Sequence, residues 1–276
     1  MTLFLFKSSQ AFNVLHDEHG DDAVVVRGEK NMFDLMGTEP YSRWDPDYWH
    51  PDFTELETKL INYSGGYATL ASLLENEEVL SCDHVRASLG ESLGKFETAY
   101  YTVDWIMPTG YNTNKLVYCS DTAFERLKRT ALKNGDIAVA GSGKGSVGKS
   151  FVYMDKFKKS VVGDLFILRP YRINSFVLQV LLQSRVGQLQ IQRHESGVSG
   201  QTHINQQEIG SFIVPLISKS IENEIEKGYI SVTSLHYDAI KAASQADLTK
   251  AERCLQEANS ILSKIILKLE QHLGLR

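Results

Sequence analysis

The order of apolar and polar positions predicts an α+β chain. Between about Tyr67 and Pro215, short apolar runs such as GDIAVA and SVVGDLFILRP are separated by turn residues, which is typical of strands. Two stretches in this region, TAFERLKRTAL and NSFVLQVLLQSRVGQLQIQR, have the period of helices instead. A further helix is predicted just before it, from Phe53 to Ile61, with Pro51 in its first turn. We therefore expect one β-rich domain with a few helices over residues 41–217.

From Ser218 onward the pattern becomes that of helices with a heptad repeat, as in the a and d positions of a coiled coil. The repeat consists of Leu248, Leu255, Leu262 and Leu269, with Ala251, Ala258 and Ile265 three residues after the first three. An earlier repeat in another register consists of Ile225, Val232, Ala239 and Ala246. The change of register predicts a break between two helical pieces. The leucine seam needs a partner, which is a second copy of the chain or, as the alternative, the chain's own first helix.

Three regions follow from these patterns. Residues 1–40 are predicted to be an N-terminal extension of unknown role, with acidic clusters and a strand around Val24 to Val26. Residues 41–217 form the β-rich domain, and residues 218–276 form a helical dimerisation and spacer region.

The composition is that of an ordinary globular protein. The 276 residues are 42% hydrophobic and 23% charged, enough for one large domain or two modest ones. No apolar run reaches the roughly 18 residues of a membrane-spanning helix, and the start of the chain lacks the features of a secretory signal. Cys82, Cys119 and Cys254 are too far apart for a zinc site or a disulfide framework. We expect a cytoplasmic protein with buried thiols.

The net charge of −5 conceals a strongly basic segment. Residues 112–193 hold 14 Lys and Arg against 5 Asp and Glu, whereas residues 1–111 hold 7 against 19. Residues 194–276 are nearly balanced, with 8 against 10. This distribution is expected when one surface binds a polyanion such as nucleic acid. The alternative is an ordinary solvated face.

One segment inside the basic region matches a phosphate-binding loop. Gly143 to Ser150 reads GKGSVGKS, which satisfies G-x-x-x-x-G-K-[ST]. Such a loop requires a helix beginning at the lysine, so that its first amides bind the phosphates. The residues after Lys149, FVYMDKFKKSVVGDLFIL, predict a strand instead. We therefore expect a glycine turn between two strands, with Lys144 and Lys149 raised towards a phosphate backbone, and keep nucleotide binding as the alternative.

The sequence contains no recognisable catalytic motif. It has no HExxH zinc motif, no GxSxG nucleophile elbow and no His, Cys and Asp spacing suited to a metal. It also lacks the cofactor loop and catalytic tetrapeptide of a methyltransferase. The segment RHESGVSGQTHINQQEIGSFIVPLI is rich in side chains that can read base edges, with a solvated loop as the alternative. We expect a non-catalytic protein with no metal and no cofactor of its own.

Three stretches, taken in order, resemble the DNA specificity subunit of type I restriction-modification systems. They are RWDPDYWHPDF, LKNGDIAVAGSGKGSVGKS and FVLQVLLQSRVGQLQIQRHESGVSGQTHINQQEIGSFIVPLI, and the resemblance covers about Tyr41 to Arg276. It implies a β-rich target recognition domain followed by a long C-terminal α-helical, coiled-coil spacer. The chain has one such domain where a full subunit of this family has two. It therefore resembles a half-subunit, or the recognition part of a fused enzyme.

The resemblance implies binding of double-stranded DNA through loops of the recognition domain. The residues expected to contact phosphates are Lys115, Lys144, Lys149 and Arg193. The residues expected to read bases are Asn112, Thr113, Asn114, Gln201, Thr202 and His203.

The resemblance also implies partners. These are DNA methyltransferase subunits, which carry S-adenosylmethionine, and a restriction or translocase subunit, all directed to a split site. In the family the spacer acts as a ruler, and a helix of about 50 residues would span on the order of 75 Å. With one domain per chain, two copies are expected to form a homodimer through the seam from Leu248 to Leu269 and to read a palindromic split site. The other class of function is a coiled-coil protein-interaction module whose basic segment is only solvated.

Overall fold

The structure is a computed structural model that describes residues 11–16, 24–29, 48, 50–81, 89–90, 98–154, 157–197 and 202–276. The chain forms two compact units, residues 1–58 and residues 59–276. In the first unit, strands β1 (Ala11–His16) and β2 (Val24–Glu29) pair antiparallel, with Val14 opposite Val26. The strand predicted around Val24 to Val26 is therefore confirmed. Most of the predicted N-terminal extension lies outside the described residues, as does Cys82.

The second unit contains the predicted β-rich region, whose strands are short. They are β3 (Tyr67–Thr69), β4 (Leu80–Ser81), β5 (Leu89–Gly90), β6 (Thr98–Tyr101), β7 (Ile106–Met107), β8 (Gly110–Tyr111), β9 (Val117–Cys119), β10 (Ile137–Ala140), β11 (Ser150–Val152), β12 (Ser160–Val162), β13 (Leu165–Leu168) and β14 (Ile213–Pro215). One sheet has the order β11-β10-β13-β4 and another has the order β12-β6-β9-β5. Strands β12 and β6 run parallel, while β10 pairs antiparallel with both of its neighbours. Two-stranded pairs join β7 with β8 and β14 with β3.

Aromatic side chains join the two larger sheets. Tyr101 of β6 stacks on Phe151 of β11 with ring centroids 5.5 Å apart, and it meets Tyr111 edge-on at 4.7 Å. Tyr153 lies edge-on to Tyr101 at 5.6 Å. These side chains are buried together with the apolar residues of β10 and β13. Pairs of this kind add stability beyond the area that they bury, so the cluster holds both sheets in one core.

The helices occupy the segments with helical period. They are α1 (Pro51–Ile61), α2 (Asp121–Leu127), α3 (Ser175–Gln183), α4 (Arg185–His194), α5 (Gln206–Gly210), α6 (Lys219–Ser244) and α7 (Leu248–His272). The stretch predicted as one helix around Ser184 is divided there into α3 and α4. The Ser184 hydroxyl accepts a hydrogen bond from the N–H of Val186 at 3.2 Å, which is the cap of a new helix.

The C-terminal region is helical, as predicted, but it is folded back on itself. Helix α6 ends at Ser244 and α7 begins at Leu248, with Ala246 in the left-handed conformation at φ 61°. The Asp247 carboxylate accepts from the N–H of Lys250 at 3.1 Å and so caps α7. The predicted break between two helical pieces is confirmed, and so is the fold class of a β-rich α+β part followed by long C-terminal helices.

The two long helices form an antiparallel hairpin. Lys268, near the end of α7, forms an ion pair with Glu224, near the start of α6. A single helical ruler of about 75 Å is therefore wrong for this chain. The chain reverses direction where the register of the heptad repeat changes, so the length of the arm is that of one helix. The 26 residues of α6 give an arm on the order of 39 Å.

Part of the leucine seam is buried within the chain. Leu262 and Leu269 are 4% and 1% exposed. Ile265 lies against Gly228 of α6, where a Cβ atom would come within 2.7 Å of Ile265 Cγ2. Leu255 is half-buried, and Leu248 at the tip of the hairpin is 70% exposed. Pairing of this seam with a second copy stays a prediction.

Helix α6 fastens the helical hairpin to the β-rich part. The buried His236 ring donates from Nε2 to the Tyr111 carbonyl at 2.9 Å, and its Nδ1 lies 2.9 Å from the Thr109 hydroxyl. Two turns earlier, Tyr229 stacks on Phe176 of α3 with centroids 5.3 Å apart. Because these contacts reach both β8 and α3, the hairpin and the β-rich part share one core.

A buried ion pair closes the turn before β10. The Asp136 carboxylate, only 2% exposed, accepts hydrogen bonds from Arg169 Nε at 2.9 Å and Nη2 at 2.8 Å. It also accepts from the N–H of Lys133 at 2.8 Å. Arg169 donates in addition to the Ala131 carbonyl at 3.0 Å. The hydrogen bonds that Arg169 donates to Asp136 are the main cause that raises the pKa of Arg169, and both charges depend on this geometry.

We expect Asp136→Ala to lower the free energy of unfolding by about 3–5 kcal/mol, because it removes the buried carboxylate that accepts two hydrogen bonds from Arg169 and leaves only the more distant, half-exposed Glu75. Asp121→Ala is the matched control, since it breaks the exposed pair with Lys159 and is expected to cost less than about 1 kcal/mol. Urea denaturation of both variants measures the difference. Equal midpoints of denaturation for the two variants would contradict the stabilising role of the Asp136–Arg169 pair.

Candidate nucleic-acid interface

The GKGSVGKS segment forms a hairpin between β10 and β11, which we call the glycine hairpin (residues 141–149). Its amides are already engaged: the N–H groups of Ser146 and Lys149 donate to Gly143 and Ser146 at 2.8 and 3.0 Å, and that of Gly148 donates to Ala140 at 2.8 Å. Strand β11 follows directly after Lys149, so the predicted strand is confirmed. A strand rather than a helix begins after Lys149, and the amides of Ser146, Gly148 and Lys149 already donate to carbonyl groups of the chain. The segment therefore does not have the geometry of a nucleotide-binding loop.

Residues 202–204 pair with the glycine hairpin. The Gly143 N–H donates to the Thr202 carbonyl at 3.0 Å, and the Ile204 N–H donates to the Gly141 carbonyl at 2.9 Å. On its other side, His203 exchanges two backbone hydrogen bonds with Ser196, at 2.8 and 2.9 Å. The structure thus brings Thr202 and His203, both predicted to read bases, next to the loop that carries Lys144. Gln201, which belonged to the same prediction, lies outside the described residues.

Helix α4 is pressed against the other flank of the glycine hairpin. Gly148 has φ 81°, and a Cβ atom there would lie 2.5 Å from Ile191 Cδ1, so only glycine fits. Arg193 follows in the last turn of α4 and is half-buried. We call the combined set the hairpin surface. It consists of Lys144, Lys149, Arg193, Thr202 and His203.

The remaining predicted site residues lie on a separate turn. Thr113–Lys115 form a 3₁₀ turn whose first amide groups are capped by the Asn112 side chain. Asn114 Nδ2 donates to the Ile240 carbonyl of α6 at 2.8 Å, and the Lys115 ammonium lies 5.6 Å from the Trp105 ring centroid. These contacts run to α6 and to Trp105, so the structure does not gather this turn into the hairpin surface.

Acidic residues from outside the basic segment neutralise one part of it. Glu75 lies 3.3 Å from Lys133 and 3.4 Å from Arg169, and Glu77 lies 3.7 Å from Arg172. The hydrogen bond from Lys133 is the main cause that holds the pKa of Glu75 below its usual range. Glu78 forms a further ion pair with Arg129. Summing charge along the sequence could not show this, because the partners are about 50 to 100 residues apart.

Lys144 and Lys149 are different, since neither forms a salt bridge with a described residue. Both side chains are exposed, and Lys149 Nζ is 3.4 Å from the Ser146 hydroxyl. The positive charge of the basic segment is therefore available on the glycine hairpin, where a polyanion could approach it.

Sequence reasoning missed a residue that positions α4. Glu270, 1% exposed, accepts from the N–H of Arg185 at 2.9 Å and forms an ion pair with Arg276. Arg185 also donates from Nη1 to the Leu275 carbonyl at 3.0 Å. A carboxylate at a helix N-terminus is favoured by the helix dipole. The signal in the sequence is weak: an acidic residue beside Leu269, on the apolar side of α7.

The described residues contain no group of three His, Cys, Asp or Glu side chains that could hold a metal ion. None of the helices in the described parts of the chain is long and apolar enough to cross a membrane.

The comparisons with known proteins found similar solved structures. No protein-family model matches the chain, and no curated protein matches it. One similar structure is described as the structural basis of complex assembly and conformational transition of the type I R-M system, with a TM-score of 0.44 and 13% identity over 78% of this chain and 52% of that chain. Another is the HsdS subunit from Thermoanaerobacter tengcongensis, with a TM-score of 0.40 and 13% identity over 78% of this chain and 50% of that chain. The chain spans about half the length of these solved chains.

We expect Glu270→Ala to lower the free energy of unfolding by about 1–3 kcal/mol, because it removes the buried carboxylate that accepts from the part-buried Arg185 N–H and pairs with Arg276. Glu257→Ala, at an exposed position of the same helix, is the control and should change stability by less than about 0.5 kcal/mol. Urea denaturation compares the two variants. Faster amide exchange in α4 of the Glu270 variant would locate the effect, whereas unchanged exchange there would contradict the positioning role.

Proposed function

We propose that this chain is a non-catalytic DNA-recognition protein that acts as the specificity subunit of a type I restriction-modification system. The observation that carries the proposal is the hairpin surface. Lys144 and Lys149, which form no salt bridge with a described residue, lie exposed on the glycine hairpin, and residues 202–203 are held beside it by backbone pairing. The sequence resemblance to the specificity subunit agrees with this arrangement.

In the proposed complex the two kinds of contact have different tasks. Lys144, Lys149 and Arg193 contact phosphates and so set the position of the domain on the duplex. His203, together with Gln201, reads base edges in the major groove. The Thr202 hydroxyl, also predicted to read bases, is buried in the described structure and does not face a ligand. The turn with Asn112, Thr113 and Lys115 provides a second contact, while Asn114 already donates its amide to α6.

The proposal includes partners that supply the chemistry. Methyltransferase subunits with bound S-adenosylmethionine, and a restriction or translocase subunit, are directed by this chain to its DNA site. The helical hairpin is the proposed docking element, because Ile230, Tyr237 and Leu267 remain 51%, 38% and 39% exposed on it. We propose that these side chains contribute to one docking patch, since contiguous exposed apolar patches typically mark surfaces that bind another protein.

Pairing of two copies is also part of the proposal. A two-fold protein reads a palindromic split site, with one half-site per recognition domain. Leu248 is the seam residue left exposed for such pairing, since Leu262 and Leu269 are buried within the chain. Analytical ultracentrifugation of the chain with and without DNA measures the state of assembly.

The salt dependence of DNA binding tests the phosphate contacts. We expect Lys144→Ala and Lys149→Ala each to reduce the slope of log K against log salt by about 0.9, because each removes one counterion-releasing contact. Lys128→Ala is the matched control, since Lys128 lies in the same basic segment but pairs with Glu125 at 3.1 Å. Fluorescence anisotropy with a labelled duplex gives the slopes. Equal slopes for all three variants would contradict phosphate binding by the hairpin surface.

The methylation pattern of the host tests the role of the chain in directing a methyltransferase. We expect the protein to co-purify with a methyltransferase subunit, and deletion of its gene to remove one methylated split motif. His203→Ala should change or abolish that motif, because a lost base contact costs about 1–3 kcal/mol of discrimination. Mass spectrometry and mapping of adenine methylation measure both effects. An unchanged methylome without a methyltransferase partner would rule out this role.

A further inference from the structure

A cavity of about 410 Å³ opens between the glycine hairpin and α7. Leu262, which is buried, and Ile266, which is half-buried, form an apolar part of its lining on α7. Asn259 and Ser263 line it from the same helix, and Lys149 lines it from the glycine hairpin. These three side chains are exposed, so the mouth of the cavity is polar and its base is apolar.

The polar side chains at the mouth are available to a ligand. Neither Asn259 nor Ser263 makes a side-chain hydrogen bond to another described residue. Lys149 forms no salt bridge with a described residue, and its one contact, with Ser146, is long. None of the described residues that line the cavity is acidic. The mouth therefore offers one positive charge and two neutral hydrogen-bond donors, without a carboxylate that would repel an anion.

We infer that this cavity receives the sugar-phosphate backbone of DNA, so that α7 forms one wall of the DNA-binding groove opposite the glycine hairpin. The inference rests on the proposed function and extends it to a helix that sequence analysis assigned only to dimerisation and spacing. Lys149 pairs with a phosphate, and the Asn259 amide and the Ser263 hydroxyl donate to its oxygens. The carbon face of the sugar lies on Leu262 and Ile266.

The size and lining of the cavity favour this occupant over an apolar protein segment. Its volume accommodates about one nucleotide, which is what a strand passing along the glycine hairpin would present. Lysine, asparagine and serine are side chains that commonly contact phosphates in protein–DNA complexes. The cavity also shares Lys149 with the hairpin surface, so both can act on the same strand.

Charge substitutions of opposite sign at Ser263 test the inference. We expect Ser263→Asp to weaken binding of a fluorescein-labelled duplex of mixed sequence about tenfold, and Ser263→Lys to strengthen it and raise the salt slope by about 0.9. The full chain is used, and anisotropy is measured over a series of salt concentrations. Because the two variants should act in opposite directions, loss of folding cannot imitate the result.

Ser234 provides the matched control. It is an exposed serine on α6 that does not line the cavity, so Ser234→Asp and Ser234→Lys should leave affinity and slope almost unchanged. If the Ser263 variants behave like the Ser234 variants while the wild type binds DNA, this inference is overturned and the proposed function stands. If the wild type shows no salt-sensitive binding of the duplex, both are overturned.

Discussion

The buried ion pair of Asp136 and Arg169 sets the point at which β10 begins, and the position of the glycine hairpin depends on that point. Separating Asp136 from Arg169 would leave a charge removed from water without its partner, which costs several kcal/mol. The turn before β10 is therefore held against the end of β13. Strand β10 pairs with β11 on one side and β13 on the other. A slip by one residue would turn its buried side chains to the wrong face. The glycine hairpin is therefore carried at the end of a strand with only one stable register.

Close packing transmits this order to the C-terminal helices. Gly148 leaves room for Ile191 of α4, and the first turn of α4 is held by Glu270 of α7. Helix α4 thus lies between the candidate interface and the end of the helical hairpin. A change in the helical hairpin would act on α4 through Glu270 and the C-terminal residues around Leu275. This continuity makes the candidate interface and the helical hairpin one structural unit.

The charge distribution shows how misleading a sum along the chain can be. The basic segment is partly neutralised by Glu75, Glu77 and Glu78, which come from the acidic part of the sequence. Lys144 and Lys149 on the glycine hairpin are not neutralised in this way by any described residue. Local pairing, and not net charge, decides which cations can bind a phosphate.

The amino-acid sequence by itself determined the features that depend on neighbouring residues. The heptad repeats, the break between them and the strand after Lys149 all follow from short-range pattern and propensity, and the structure contains each of them. Tertiary structure alone decided that α7 folds back on α6 instead of extending as a ruler, that Asn114 binds α6, and that Glu270 caps α4. It also decided which predicted site residues meet, bringing Thr202 and His203 to Lys144 but leaving Asn112 to Lys115 on another turn. The physical reason is that periodicity tells which face of an element is apolar, whereas the partner of that face is chosen by residues far away in the chain.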